Sequence, residues 1–385
     1  MPTYRTPGVY QEEVFPRPAA GLRVGVPAFL GLAQRGPVNL PRMLTLWTHF
    51  GEAFGSALSE GYLGYAVRGF FENQGRLCYA VRLEDNTEGA LQAGLDALST
   101  LDAIDLVCAP DVMWQPELAA NPQALQSRVA LLQTRVLDHC DALGDRFAIL
   151  DSLPDVTVEE VLRQRQGLGG MNGALYYPWV RPADGPAASG GFVPPCGHIA
   201  GVYARTDEQV GVHKAPANEV LAGVLDLEVN LKDSQQGRLH PEGVNCLRVF
   251  SGRGIRVWGA RTVSADPAWT HVSVRRLFLT ASRWIERNLT GAVLEPNDQR
   301  LWARINRELT SYFNGLFQRG ALKGSTPEEA FYIKCDSETN PPEVRDAGMV
   351  VTEIGLAPGI PNEFVVVRII HGASGVTISG PAQPV

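Results

Sequence analysis

Two aspartates stand where an α/β chain would keep catalytic groups. Asp111 in Ala109-Pro-Asp111 and Asp151 in Asp151-Ser-Leu-Pro154 each follow a short apolar run that reads as a strand. Two carboxylates meeting at strand ends could serve as an acid/base pair or hold a metal. No histidine is spaced to join them, however, and Asp beside Pro is chiefly turn chemistry. Gly167-Leu-Gly-Gly-Met-Asn-Gly173 has the glycine spacing of a dinucleotide loop, but it follows a predicted helix and precedes a strand. That order is the reverse of the one that aims a helix N-terminus at a phosphate. Cys196-Gly-His198 and His139-Cys140 put thiol and imidazole close in sequence, yet such neighbours seldom face each other as a nucleophile and its base must. No G-x-S-x-G elbow occurs, and Ser374 lies in a tail that could not hold an oxyanion hole. The six cysteines are at least 30 residues apart with no C-x-x-C pair, which predicts free buried thiols. No catalytic residue, cofactor or metal is therefore expected. The competing reading is a hydrolase-like α/β enzyme with an oligomerising C-terminal domain, resting on Asp111, Asp151 and the glycine loop.

The elements that would position these residues alternate strand and helix. Strands are predicted at 24–33, 77–83, 104–108, 147–150 and 175–180, with helices over 87–98, 122–140 and 156–166. Short apolar strands alternating with helices argue for a three-layer α/β body around a largely parallel sheet. Residues 47–54 and 61–71 read as helical or turn-like and place Phe50, Phe54, Phe70 and Phe71 in the core. The Pro- and Gly-rich stretch 182–195 is the clearest internal loop, with Pro194 and Pro195 starting a helix that carries Ile199, Val202 and Tyr203. Residues 243–262 read as two strands about a Ser251-Gly-Arg-Gly254 turn that feed a C-terminal unit.

That unit is an α+β arrangement of two amphipathic helices followed by strands. The first helix, 272–289, repeats Val274, Leu277, Phe278, Ala281, Trp284 and Ile285 at a spacing of three and four, while Arg275, Arg276, Arg283 and Arg287 fall mostly elsewhere on its circumference. The second starts near Asn297 and Asp298 and ends at Gly320. Arg300, Arg304 and Arg307 share a narrow arc opposite its apolar face. That arc reads either as a solvated surface or as a docking rail for an acidic partner. Strands at 330–335, 349–356 and 363–370 follow, and three strands leave two open edges. The termini, 3–14 and 372–385, are candidates to cover those edges, in this chain or in a neighbour. A head-to-tail contact that does not close builds a filament. The expected organisation is an N-terminal arm at 1–22, the α/β body at 23–240, an inner α+β domain at 241–371 and a C-terminal arm at 372–385.

Composition bounds the function. The chain has 385 residues and a net charge of −7, which disfavours a general nucleic-acid or anionic-membrane binder. No run approaches 18 uninterrupted apolar residues and the start has no apolar leader core, so the expectation is folding in a bacterial cytoplasm without membrane insertion.

Tyr4-Arg-Thr-Pro-Gly-Val-Tyr-Gln-Glu-Glu-Val14, Gly252-Arg-Gly-Ile-Arg-Val-Trp-Gly-Ala-Arg-Thr262, Cys335-Asp-Ser-Glu-Thr-Asn340 and Pro361-Asn-Glu-Phe-Val-Val-Val-Arg368 together resemble the contractile tail sheath protein family. The family includes phage tail sheaths and the sheaths of phage-like extracellular contractile injection systems. Residues 193–207 and 212–218 share the resemblance, which covers nearly the whole chain and is weakest over 110–170. It implies a structural subunit that polymerises into a helical sheath of stacked hexameric rings around an inner tube. The sheath would contract when a baseplate triggers it, driving the tube through a target envelope, with terminator or cap proteins as further partners. It also implies inter-subunit strand exchange, placed here at Tyr4, Thr6, Val9, Tyr10 and Val14 and at Val365, Val367, Ile369, Val376 and Ile378. Arg300, Arg304 and Arg307 are then expected to face the tube. Continuity of arm, body and C-terminal unit argues against a two-chain sheath of the type VI secretion kind.

Overall fold

The computed structural model describes residues 22–292 and 294–359, together with the backbone of two strands at 365–372 and 375–379. The body opens with β1 (Pro27–Gly31), β2 (Arg42–Leu44), α1 (Trp47–Phe54), α2 (Leu63–Glu72) and β3 (Cys78–Arg82). It continues through α3 (Glu88–Leu98), β4 (Leu106–Cys108), α4 (Pro122–Leu143), β5 (Phe147–Asp151), α5 (Val158–Gln166), β6 (Gly173–Tyr177) and β7 (Val180–Pro182). Next come α6 (Cys196–Gln209), β8 (Glu219–Val220), β9 (Val224–Leu227), α7 (Asp233–Leu239), β10 (Val244–Phe250) and β11 (Gly254–Trp258). Local chemistry explains the helix ends. Thr157 and Glu160 form a reciprocal capping box at the start of α5, and α4 has Asn121 as cap, Pro122 in its first turn and a left-handed Gly144 at its end.

Nine of these strands make one sheet in the order β2-β3-β1-β4-β5-β6-β10-β11-β8, while β7 and β9 pair separately. Its centre, β3 to β10, is parallel, and β2, β11 and β8 join it antiparallel at the flanks. Buried on both faces, the central strands are uniformly apolar rather than alternating, as in Phe147–Leu150. Helices α2 and α6 cross at unusually close range. A Cβ on Gly197 would lie 2.1 Å from the Ala66 carbonyl oxygen, and one on Gly201 would lie 2.5 Å from Asn73 Cβ.

Strands β10 and β11 belong to this sheet, although the sequence reading assigns them to a unit starting at 241. Val244 pairs in parallel with Leu175 on β6, and β11 pairs back on β10. Periodicity identifies a strand but not its partner, and here the partner precedes a 66-residue excursion through α6 and α7, residues 178 to 243.

The C-terminal unit comprises α8 (Val272–Leu289), α9 (Gln299–Gln318), α10 (Pro327–Ala330), β12 (Phe331–Lys334), α11 (Pro342–Asp346), β13 (Val350–Leu356), β14 (Val365–Gly372) and β15 (Gly375–Ser379). Its strands form a second, antiparallel sheet in the order β12-β13-β14-β15. Two hydrophobic cores result, and α8 serves both. Val272 and Leu279 pack on the body, while Val274, Leu277, Phe278, Ala281 and Ile285 join Leu301, Ile305, Leu309 and Phe313 of α9 against β12 and β13. Trp284 stacks on Tyr312 at 4.0 Å between the two helices.

Candidate functional site

Each strand-end carboxylate is occupied by the chain's own backbone. The sheet order reverses between β1 and β4, the position where open α/β sheets usually bind a ligand. Asp111 fills that position. Its Oδ2 accepts from Leu32 N at 2.6 Å and Leu63 N at 3.2 Å, and its Oδ1 accepts from Tyr62 N. The amides at the start of α2, where a phosphate could otherwise sit, are thus taken by a side chain that is 2% exposed. Asp151 does the same for α6, accepting from Cys196 N at 2.8 Å. Burial pushes both carboxyls up to about 7, against the pull of these donors. The cavity beside Asp111 holds about 10 Å³ and is lined by Leu30, Leu83, Leu91, Val112 and Leu132, space for at most one water. Asp111 and Asp151 therefore cap the crossing pair α2 and α6.

The glycine loop is likewise a structural tie. Asp141 of α4 accepts from Met171 N and Asn172 N, and Asn172 joins Cys140 O to Arg275 of α8. Burial raises the thiol pKa of Cys140 and Cys196, the wrong direction for a nucleophile. His198 is buried with both ring nitrogens unpartnered among the described residues, and burial, helped by Arg68, lowers it to about 4. Among the described residues, no group of three His, Cys, Asp or Glu is arranged to hold a metal, and no helix is long and apolar enough to cross a membrane.

The arginines of the C-terminal helices divide into two populations. Arg276 and Arg283, which fall off the apolar stripe of α8, are 2% and 6% exposed because that side of the helix faces the body. Helical periodicity locates one apolar stripe and does not register a second, polar contact face. On α9, Arg300 and Arg307 are exposed with no ion pair among the described residues. Arg304, between them, is held by Glu295 at 2.6 Å and Glu308 at 3.6 Å. The rail is therefore two cations without an ion pair among the described residues, flanking one that is already paired.

The second sheet carries the strand-exchange candidates. Val365, Val367 and Ile369 lie on β14, which pairs with β13 of the same chain, and Val376 and Ile378 lie on β15, which pairs with β14. Tyr4, Thr6, Val9, Tyr10 and Val14 lie outside the described residues. Where β12 ends, Asn340 takes its place beside β13. The Asn340 Nδ2 donates to Val351 O at 2.9 Å and its Oδ1 accepts from Val351 N at 2.6 Å, so the amide imitates one more residue of a neighbouring strand. Backbone groups alternate sides along an antiparallel strand. Val350, Thr352, Ile354 and Leu356 consequently direct theirs to β14, opposite His371, Ile369, Val367 and Val365. Sequence reasoning quoted Asn340 as part of a motif and missed this role.

Residues 86–263 match the phage tail sheath protein central domain and residues 264–370 the phage tail sheath C-terminal domain, with the junction falling after β11. The anti-feeding prophage (AFP) helical sheath in its contracted state is 32% identical, with a TM-score of 0.72 over 94% of this chain and 98% of that one. The PVC sheath complex of an extracellular contractile injection system, also contracted, is 28% identical with a TM-score of 0.72, covering 95% and 97%. The tail sheath protein of Vibrio phage KVP40 is 26% identical over 183 residues, which are 46% of this chain and 26% of that protein. The chain thus spans about a quarter of that relative's length. The chain belongs to the contractile tail sheath protein family.

Proposed function

We propose that this chain is the structural subunit of a contractile sheath that polymerises helically around an inner tube and contracts to drive the tube through a target envelope, without catalysing a reaction. The observation that carries this reading is the end-to-end match to a helical sheath subunit, 98% of whose length is covered. The α/β body supports it, because its ligand position is filled by Asp111. The partners are further copies of the chain in stacked hexameric rings, an inner tube protein, a baseplate and a terminator or cap. Assembly takes place in the bacterial cytoplasm, and the product is a phage tail or phage-like injection particle.

The sheet of β12 to β15 is the linkage point in this reading. In the single chain, β14 pairs with β13 and β15 with β14. An identical segment from a neighbour makes the same hydrogen bonds, so exchange changes connectivity at little net energy. The terminal segments act as tethers while rigid bodies trade one set of interfaces for a more extensive one. Arg300 and Arg307, with Arg304 between them, face the tube before contraction, where weak exposed charge contacts suit an interface that must release.

The test is negative-stain electron microscopy of the full chain and of a variant lacking residues 1–15, each with and without a tube protein. Hollow striated cylinders from the full chain and none from the truncation are expected. Discrete small oligomers of the full chain under every condition would overturn the sheath reading.

A further inference from the structure

The first described residues after the N-terminal segment meet a buried charge cluster at the seam between body and C-terminal unit. Arg276 of α8 donates to both Asp207 oxygens on α6, at 2.8 and 2.5 Å, and to Asp105 Oδ2 at 3.0 Å. Its guanidinium also lies 4.9 Å above the Tyr203 ring. Burial opposes the Arg276 charge, and Asp207 and Asp105 more than offset it, so its pKa rises. Two carboxylates and one guanidinium leave the cluster one negative charge in excess, and the backbone supplies the remaining donors. Val26 N donates to Asp105 Oδ1 at 2.6 Å and Gly25 N to Asp105 Oδ2 at 3.0 Å. Two helical turns further along α8, Arg283 donates to Asp102 O at 2.9 Å and to Arg23 O at 3.4 Å. Gly25 is the residue this packing requires. Its φ is +70°, and a Cβ there would lie 2.6 Å from Ala204 Cα on α6.

We propose that Arg276 is a positioning residue for the N-terminal tether, holding its root at Gly25 and Val26 through Asp105 to the body and to α8 at once. Displacing the root strips two hydrogen bonds from a buried carboxylate, so the root stays closed while Arg276 holds Asp105 in place. A pull arriving along the segment before Leu22 is then delivered to both units together rather than to β1 alone. This proposal rests on the tether reading above.

The test is hydrogen exchange at the Gly25 and Val26 amides of the soluble full chain, compared with peptides from β5. Arg276→Lys keeps the charge and loses the two-pronged contact. Asp105→Asn keeps the shape and removes one acceptor, and it serves if the first variant does not fold. Either variant should speed exchange at the root by about tenfold or more while β5 is unchanged, and should reduce sheath length by electron microscopy. Unchanged root exchange in a folded variant overturns the proposal, as does a uniform rise that includes β5. Intact cylinders after deletion of residues 1–15 would refute the tether reading, independently of the exchange result.

Discussion

His198 should make this protein acid-sensitive by an amount that can be worked out. The imidazole sits on α6 against α2, so close that a Cβ on Gly69 would lie 2.5 Å from its Nδ1, and neither ring nitrogen has a hydrogen-bond partner among the described residues. Burial, with Arg68 beside it, lowers its pKa from 6.5 to about 4. A depressed folded-state value means that the unfolded chain binds the proton first. The neutral ring's contribution is therefore fully present above pH 6.5 and is lost as pH falls toward 4. Integrated between pH 7.5 and 5, the loss is about 2 kcal/mol. Asp111 and Asp151 work the other way. Raised to about 7, they take up protons in the native state first and favour it as pH falls from there toward 3.8. The wild-type curve alone therefore mixes opposite signs, and a difference is needed. Urea unfolding of wild type and His198→Leu at both pH values should show the wild-type stability falling relative to the variant by about 2 kcal/mol on acidification. Parallel pH dependence in the two proteins would refute the reasoning, because it would mean that the native state protonates His198 as readily as the unfolded chain does.

Two further outcomes follow from the C-terminal unit. Asn340→Ala leaves the buried N–H and C=O of Val351 without their side-chain partner and should lower stability by about 2–4 kcal/mol in urea unfolding. An unchanged midpoint would mean that β13 does not depend on the amide. Changing Arg300, Arg304 and Arg307 together to Ser removes exposed or half-exposed charge and the Arg304 ion pairs from α9, so the unfolding free energy should fall by no more than about 2 kcal/mol while tube-templated assembly weakens. Unchanged tube binding in a co-sedimentation assay would remove the rail from the tube-facing surface.

Period and punctuation in the sequence determined the local elements. The helix at 272–289 is observed with those ends, as Val272–Leu289, and Asp298 caps α9 as its position suggested. Runs of uninterrupted apolar residues between helices were enough to indicate a parallel sheet, because such strands are buried on both faces. The motif resemblance supplied the family. Only the tertiary structure decided which strands are neighbours, and so moved β10 and β11 into the body. Only it showed why Asp111 and Asp151 stand at strand ends, since the amides they cap come from Tyr62, Leu63 and Cys196, each more than 40 residues away. The same holds for Arg276. A sequence shows that an arginine lies off the apolar stripe of a helix, but whether it meets water or two aspartates from 69 and 171 residues earlier depends on how that helix is docked. Periodicity is a property of a few consecutive residues, whereas charge pairing and strand order are properties of segments brought together by the chain's long-range path.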